Sequence, residues 1–339
     1  MAQVLWIGTS GQMEETLVPR AGINLETIEG GPIVGVALHR RLLNGVQLAW
    51  SVGKVARLFR RFRPDVVLMT GGYVNVPVAP VARALRVPAA IFLPDIEPGS
   101  AIRMLSRFVR YVACTASESA KYFSPGKVKV TGYPVRSELR EALQLTAAEA
   151  LARFDLQPER RTLFVFGGSR GARSINQTLA NNLEALLERY QVIHVTGELD
   201  WPTIEERAMN LSPEQRSYYR PYAYLHGEMG PAFRAADLVV ARAGASMLGE
   251  SPAFGLPSVL VPYPHAWRYQ KVNADYLAAQ GAAVRLDDER LQEEFLQTIT
   301  GLLDDAARLH AMGAAAKAMD RPSAALNLAQ LLRELSERG

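Results

Sequence analysis

Cysteine is almost absent from this chain. Cys114 stands alone among 339 residues, so no disulfide can form within it, and a reducing compartment fits. Long apolar runs are missing as well: none reaches the length needed to cross a bilayer. The opening stretch MAQVLWIGTSGQ has neither a basic n-region nor a long apolar h-region. No signal peptide is therefore expected there, and the cytoplasm is the expected location. Acid is lacking in one place. Between Glu29 and Asp65 there is no Asp or Glu, while the same window holds Arg40, Arg41, Lys54, Arg57, Arg60, Arg61 and Arg63. These are interleaved with apolar residues that include Trp50, Val55, Leu58, Phe59 and Phe62. A basic amphipathic helix with aromatic residues suits an anionic membrane surface. A helix with one face in the core and the other in water explains the pattern equally. No nucleic-acid partner is expected, because no aromatic-basic module or DNA-reading motif is found.

What is there is a repeated α/β pattern. The length exceeds what one hydrophobic core usually organises, and an apolar share of 48 % with 21 % charged residues is ordinary for a globular protein. Apolar runs separated by helical stretches include QVLWIG, VVLMTG, AAIFL, YVACT and KVKVTG in the first half. TLFVFGG, QVIHVTG, PYAYL, LVVARAG, PSVLVPY and AAVRL follow in the second. Near-continuous apolar strands alternating with helices predict parallel sheets covered on both faces. The series occurs twice, which predicts two doubly wound domains at 1–140 and 141–322 and a closing amphipathic helix at 323–339. In such sheets ligands bind outside the carboxyl ends of the strands, and that is where the motifs fall.

The stretch VFGGSRGARSINQTL ends a strand with Gly167 and Gly168 and places Ser169 and Gly171 before a helix. A tight turn onto a helix N-terminus presents N–H groups and partial positive charge, which suits a phosphate or an anionic leaving group. A plain strand–helix turn needs the same glycines. A second strand end, VVARAGASMLGE, places Gly244 and Ala245 after the strand, Ser246 as a plausible N-cap, and Glu250 one turn later. A carboxylate there can accept two hydrogen bonds from a ribose diol, or simply favour the helix dipole. The third, PHAWRYQKVNA, carries Gln270 and Asn273 three apart on one helix face, an amide pair able to grip sugar hydroxyls. MTGGYVNVP and VTGYPVRSEL end two strands of the first half, and Arg136 in the latter can reach a diphosphate.

The ordered set GGYV, G-x-PVR, GGS-x-GAR-x-x-NQT, R-x-GA-x-x-x-x-E-x-x-x-x-GLP and Q-x-x-NA closely resembles the MurG family, over nearly the whole chain. These are UDP-N-acetylglucosamine:lipid I glycosyltransferases of peptidoglycan synthesis. The resemblance implies the GT-B fold, two facing Rossmann-like domains, and an inverting transfer of N-acetylglucosamine from UDP to lipid I. It implies that the C-terminal domain holds the donor. Ser169 would meet the diphosphate, and Ala245, Ser246, Met247, Leu248, Gly249 and Glu250 would wrap the nucleotide, with Glu250 on the ribose. Gln270 would hold the sugar, Arg136 would reach the donor, and the backbone near His226 would border the uracil. The N-terminal domain would take a polyprenyl-diphosphate acceptor at the inner face of the cell membrane. No cofactor is implied, and no DxD-like metal clamp is present, so no metal is expected.

The chain departs from the family pattern in places. It starts at what is normally the second strand, without the usual first strand and Gly-rich loop. The family's HEQN stretch is here LPDI, with Asp95 where a donor-contacting Asn belongs; Asp95 is the only candidate for the general base, and a weak match to that role. Arg170, Tyr269 and Trp267 stand where two glutamines and an acid belong. Two other readings follow: a non-catalytic relative that binds UDP-sugar, or a transferase acting on another lipid acceptor.

Overall fold

The computed structural model describes residues 2–28, 38–72, 74–168, 171–265 and 268–337, with the backbone alone over 38–49. The chain folds into two compact units. One comprises Met1–Pro94, Pro98–Thr131 and Leu326–Gly339; the other comprises Asp95–Glu97 and Gly132–Ala325.

The first unit holds two parallel sheets. β1 (Leu5–Thr9) pairs with β2 (Asn24–Ile28), and β3 (Val67–Met69), β4 (Ala89–Leu93), β5 (Tyr111–Cys114) and β6 (Val128–Val130) form a second sheet in that order. β2 is not among the apolar runs of the sequence: its NLETI alternates and is only half-buried until Ile28. AAIFL, in contrast, is buried at every position of β4, as a strand covered on both faces must be. The basic window forms the helix Leu38–Phe62. Val55, Leu58 and Phe59 enter the core beside Met69, Val78 and Ile91, while Lys54, Arg57, Arg60, Arg61 and Arg63 face water. Phe59 is thus a core residue and unavailable to a membrane, because the three-to-four residue spacing that aligns it with Val55 points it inward. Trp50 is 82 % exposed. Arg61 pairs with Glu26, and Lys54 donates to Thr27 O at 2.6 Å. The side chains of Arg40 and Arg41 lie outside the described residues.

The second unit is a six-stranded parallel sheet in the order β12-β11-β10-β7-β8-β9. Its strands are β7 (Thr162–Phe166), β8 (Gln191–Val195), β9 (Tyr219–Tyr222), β10 (Leu238–Ala241), β11 (Ser258–Leu260) and β12 (Ala283–Arg285). Residue alternation on β7 builds both cores. Leu163 and Val165 join Ile175, Leu179 and Leu183 of the helix Arg173–Leu187. Phe164 and Phe166 meet Phe233, with Phe164 edge-on to it at 5.3 Å between centroids. Such pairs contribute about 0.5–1.5 kcal/mol beyond the area they bury. The strand order reverses between β7 and β10. This is the topological switch point, outside which open α/β sheets bind ligands.

One buried polar chain crosses this unit. Asn176 gives its amide N–H groups to Thr196 O and to Asp200, both at 2.8 Å. Its oxygen then accepts from His194 Nε2–H at 3.0 Å, leaving Nδ1 to accept from the Tyr219 hydroxyl at 2.8 Å. His194 has no exposed surface. Burial disfavours the imidazolium and pushes the pKa from 6.5 down to about 3. As pH falls below about 6.5, the unfolded chain binds a proton that the folded chain refuses, so stability declines from there toward pH 3. Thermal melts across this range should show a falling midpoint, with a shallower slope in His194→Gln.

Candidate functional site

The switch point is flanked by two chain segments that leave the sheet together. On one side β7 ends at Phe166 and runs into Gly167 and Gly168. Gly171 has φ +74°, and a Cβ there would stand 2.4 Å from Thr196 O. Only glycine fits so close to a backbone carbonyl. The turn delivers Ala172 as N-cap of the helix Arg173–Leu187, with no side chain capping it. The first N–H groups of an α-helix have no partner within the helix itself. Ser169 and Arg170 lie outside the described residues.

On the other side β10 ends at Ala241, and Arg242, Ala243, Gly244 and Ala245 lead into the helix Met247–Phe254. Arg242 organises this corner. Its guanidinium donates to Ser174 Oγ at 2.8 Å, to Val261 O at 3.3 Å and to the Asp288 carboxylate, and it lies over the Tyr263 ring at 5.3 Å. Ser174 in turn donates to Asp288 at 2.7 Å. The ends of β10 and β11 and the start of the Arg173–Leu187 helix are thereby held together. The planar fork of Arg makes such multidentate ties. The motif letter R in R-x-GA was the available signal.

Ser246 stands at the N-cap position, but its backbone is helical (φ −61°, ψ −32°) and its side chain caps nothing. The N-cap expectation is corrected on this point, since a capping residue needs an extended backbone to aim its oxygen at N2 or N3. The hydroxyl instead bonds the Glu250 carboxylate. Glu250 is 7 % exposed. Burial raises its pKa above the usual carboxylate range, opposed by Ser246 and by the charge of Arg136, whose Nη2 stands 3.7 Å away. Met247, Leu248 and Gly249 are buried alongside.

Gln270 opens the helix Tyr269–Ala279 and accepts from Tyr263 N at 2.8 Å. Asn273 does not join it as a sugar grip. It is 1 % exposed and donates to Asp95 Oδ1 at 2.8 Å and Ala243 O at 3.2 Å, while accepting from Ile96 N at 3.1 Å. Its amide is spent inside the protein because it must hold the 95–97 segment against the loop after β10. Glu97 of the same segment pairs with Arg268, just before the helix Tyr269–Ala279, at 2.6 Å. Asp95 is placed beside the candidate loop, and burial raises its pKa against the lowering effect of Asn273. His226 follows β9, the edge strand, with its exposed ring 4.9 Å from that of Tyr224. No described bond joins it to the other candidate residues. Trp267 lies outside the described residues.

The glycosyltransferase family 28 N-terminal domain matches residues 1–114, and the family's C-terminal domain matches residues 162–328. A Roseiflexus protein named UDP-N-acetylglucosamine–N-acetylmuramyl-(pentapeptide) pyrophosphoryl-undecaprenol N-acetylglucosamine transferase is 38 % identical, over 98 % of this chain and 83 % of its own. A Moorella thermoacetica protein of the same name is 37 % identical, over 99 % of this chain and 92 % of its own. The chain belongs to the MurG family. Among solved structures, Acinetobacter baumannii MurG has a similar fold: TM-score 0.76, 23 % identity, 98 % of this chain and 91 % of the other. A Neisseria meningitidis UDP-GlcNAc 2-epimerase bound to UDP-GlcNAc has TM-score 0.65 at 12 % identity, covering 98 % of this chain and all (100 %) of the other. The fold is thus GT-B, with Rossmann-like parallel sheets, and family membership makes the chain a glycosyltransferase.

The Arg242 corner can be tested by stability. Arg242→Met strips a charged partner from Asp288 and Ser174 and should lower the unfolding free energy by about 2–3 kcal/mol. Asp288→Asn, which still offers an acceptor, should cost about 1 kcal/mol. Urea denaturation of both variants checks this ordering.

Proposed function

We propose that this chain transfers N-acetylglucosamine from UDP-GlcNAc to the muramoyl sugar of lipid I, forming lipid II for peptidoglycan. The observation that carries the reading is the near-full-length match to relatives named as this transferase. In the reaction the acceptor hydroxyl attacks the anomeric carbon as the bond to UDP breaks, so configuration inverts. The hydroxyl proton passes to a base, and the departing diphosphate needs positive charge. The start of the Arg173–Leu187 helix and Arg136 provide that charge, with Ser169 beside the diphosphate. The Ala245–Glu250 segment wraps the nucleotide, Glu250 accepts from the ribose diol, Gln270 meets the sugar, and the backbone near His226 borders the uracil. Asp95 is the candidate base, because its half-buried carboxyl is more basic than a fully exposed one. The mechanism calls on no metal and no cofactor.

Glu250→Ala should weaken UDP binding by about 1.5–3 kcal/mol, or roughly tenfold to ~150-fold. Calorimetry that finds UDP affinity unchanged would remove Glu250 from the site. Incorporation of labelled N-acetylglucosamine into a lipid I analogue tests the reaction itself.

The acceptor is lipid-linked, and among the described residues no helix is long and apolar enough to cross a membrane. In this reading the protein meets its acceptor peripherally, on the inner face of the membrane. The outer face of the Leu38–Phe62 helix supports this, with Trp50 standing out beside a row of exposed cations. Arg57 and Arg60 are the residues to change, since Arg61 already pairs with Glu26. Each cation near an anionic surface contributes roughly 1 kcal/mol, lost as salt rises. Combined Arg57→Glu, Arg60→Glu and Trp50→Ala should abolish sedimentation with anionic vesicles and leave UDP affinity intact. Equal sedimentation of wild type and variant at low and high salt would make this face merely solvated.

A further inference from the structure

Tyr133 enters the same corner from the segment that carries Arg136, and the proposed reading gives it no role. It follows Gly132 in VTGYPVR and stands three residues before Arg136. Its side chain abuts Gly249 of the helix Met247–Phe254: a Cβ added to Gly249 would meet Tyr133 Cδ1 at 2.7 Å and its Cβ at 2.9 Å. No residue but glycine allows that approach. Gly249 is the immediate neighbour of Glu250, whose carboxylate Arg136 approaches at 3.7 Å. Tyr133 and Arg136 thus grip consecutive residues of one helical turn from one short segment. The charges of Glu250, Arg136 and Asp95 all act on the phenol, which is half-buried and held at a pKa of about 12, mainly by burial.

We propose that Tyr133 is a positioning residue: packed on Gly249, it sets the height of the Glu250 carboxylate and so makes the site select nucleoside diphosphates with an intact ribose diol. The inference rests on the reading of Glu250 as the ribose contact. A ring on a glycine backbone is a stiff spacer, because the ring has few rotamers and the glycine has no side chain to yield. Without it the first turn of the helix can settle toward the 133–136 segment, and the carboxylate then misses the two hydroxyls. A misplacement on the order of 1 Å is enough to forfeit an oriented hydrogen bond.

The test is calorimetry with two ligands, UDP and a dideoxy-UDP lacking both ribose hydroxyls, on wild type, Tyr133→Phe, Tyr133→Ala and Gly249→Ala. Wild type should prefer UDP by about tenfold or more, the scale of a hydrogen bond to a charged acceptor. Tyr133→Phe should keep that preference. Tyr133→Ala should lose it, with dideoxy-UDP affinity held within about twofold, and Gly249→Ala should match it because its new methyl displaces the ring. If wild type itself fails to discriminate, the ribose reading of Glu250 is wrong and the inference falls with it. If wild type discriminates and Tyr133→Ala discriminates equally, the ribose reading survives and Tyr133 has no positioning role. Equal loss of both ligands in Tyr133→Ala and Gly249→Ala would make the contact structural only and overturn the proposal.

Discussion

The pairing of β7 with β10 is the constraint on which the second unit depends. The two strands run parallel, and their last registered pair is Phe166 opposite Ala241. Because they end level, Gly167 and Arg242 leave the sheet side by side. Gly167 leads into the glycine turn and Arg242 toward Gly244, and the strand order reverses here. A crevice opens wherever two such departures diverge. The remaining features of the site are consequences. The turn brings a helix N-terminus to one wall, Arg242 fastens that helix to the opposite strand ends, and Glu250 sits one turn into the second wall.

Electrostatics in this corner follow from burial more than from pairing. Glu250 and Asp95 are both shifted upward by desolvation, and each has a polar neighbour that partly offsets it. Buried carboxylates with only partial compensation are costly to the folded state. They accord with a site that is completed by a ligand rather than by the protein alone. Asn273 shows the opposite arrangement. Its three bonds are all internal, so its contribution is to fix where Asp95 stands.

Much of this was legible in the sequence, for physical reasons that differ by residue. TLFVF and LVVA read as strands because a parallel strand covered on both faces must be apolar at every position. The glycine turn was visible because close backbone approach admits no substitute. β2 was not visible, since NLETI is half-buried and its polarity resembles a loop. Asn273 was misjudged because spacing alone puts it on the face of Gln270. Whether an amide on that face looks outward or inward depends on the 95–97 segment, far away in the chain. Tyr133 and Arg242 lay inside quoted motifs, yet their roles arise only from what they touch. Ser246 has the composition of a cap without the backbone angles of one.

Every registered strand pair in the three sheets is parallel, and this has a kinetic consequence. A parallel pair cannot be closed by a hairpin, so none of the three sheets offers a local pairing from which folding can start. β7 and β8 can meet once the helix between them has formed. The β7–β10 contact instead bridges some 75 residues, as between Thr162 and Asp237. Loop-closure entropy places such distant pairings after the nearer ones. The crevice between β7 and β10 is therefore assembled among the last steps of folding, and a partly folded chain would present bare strand edges in its place.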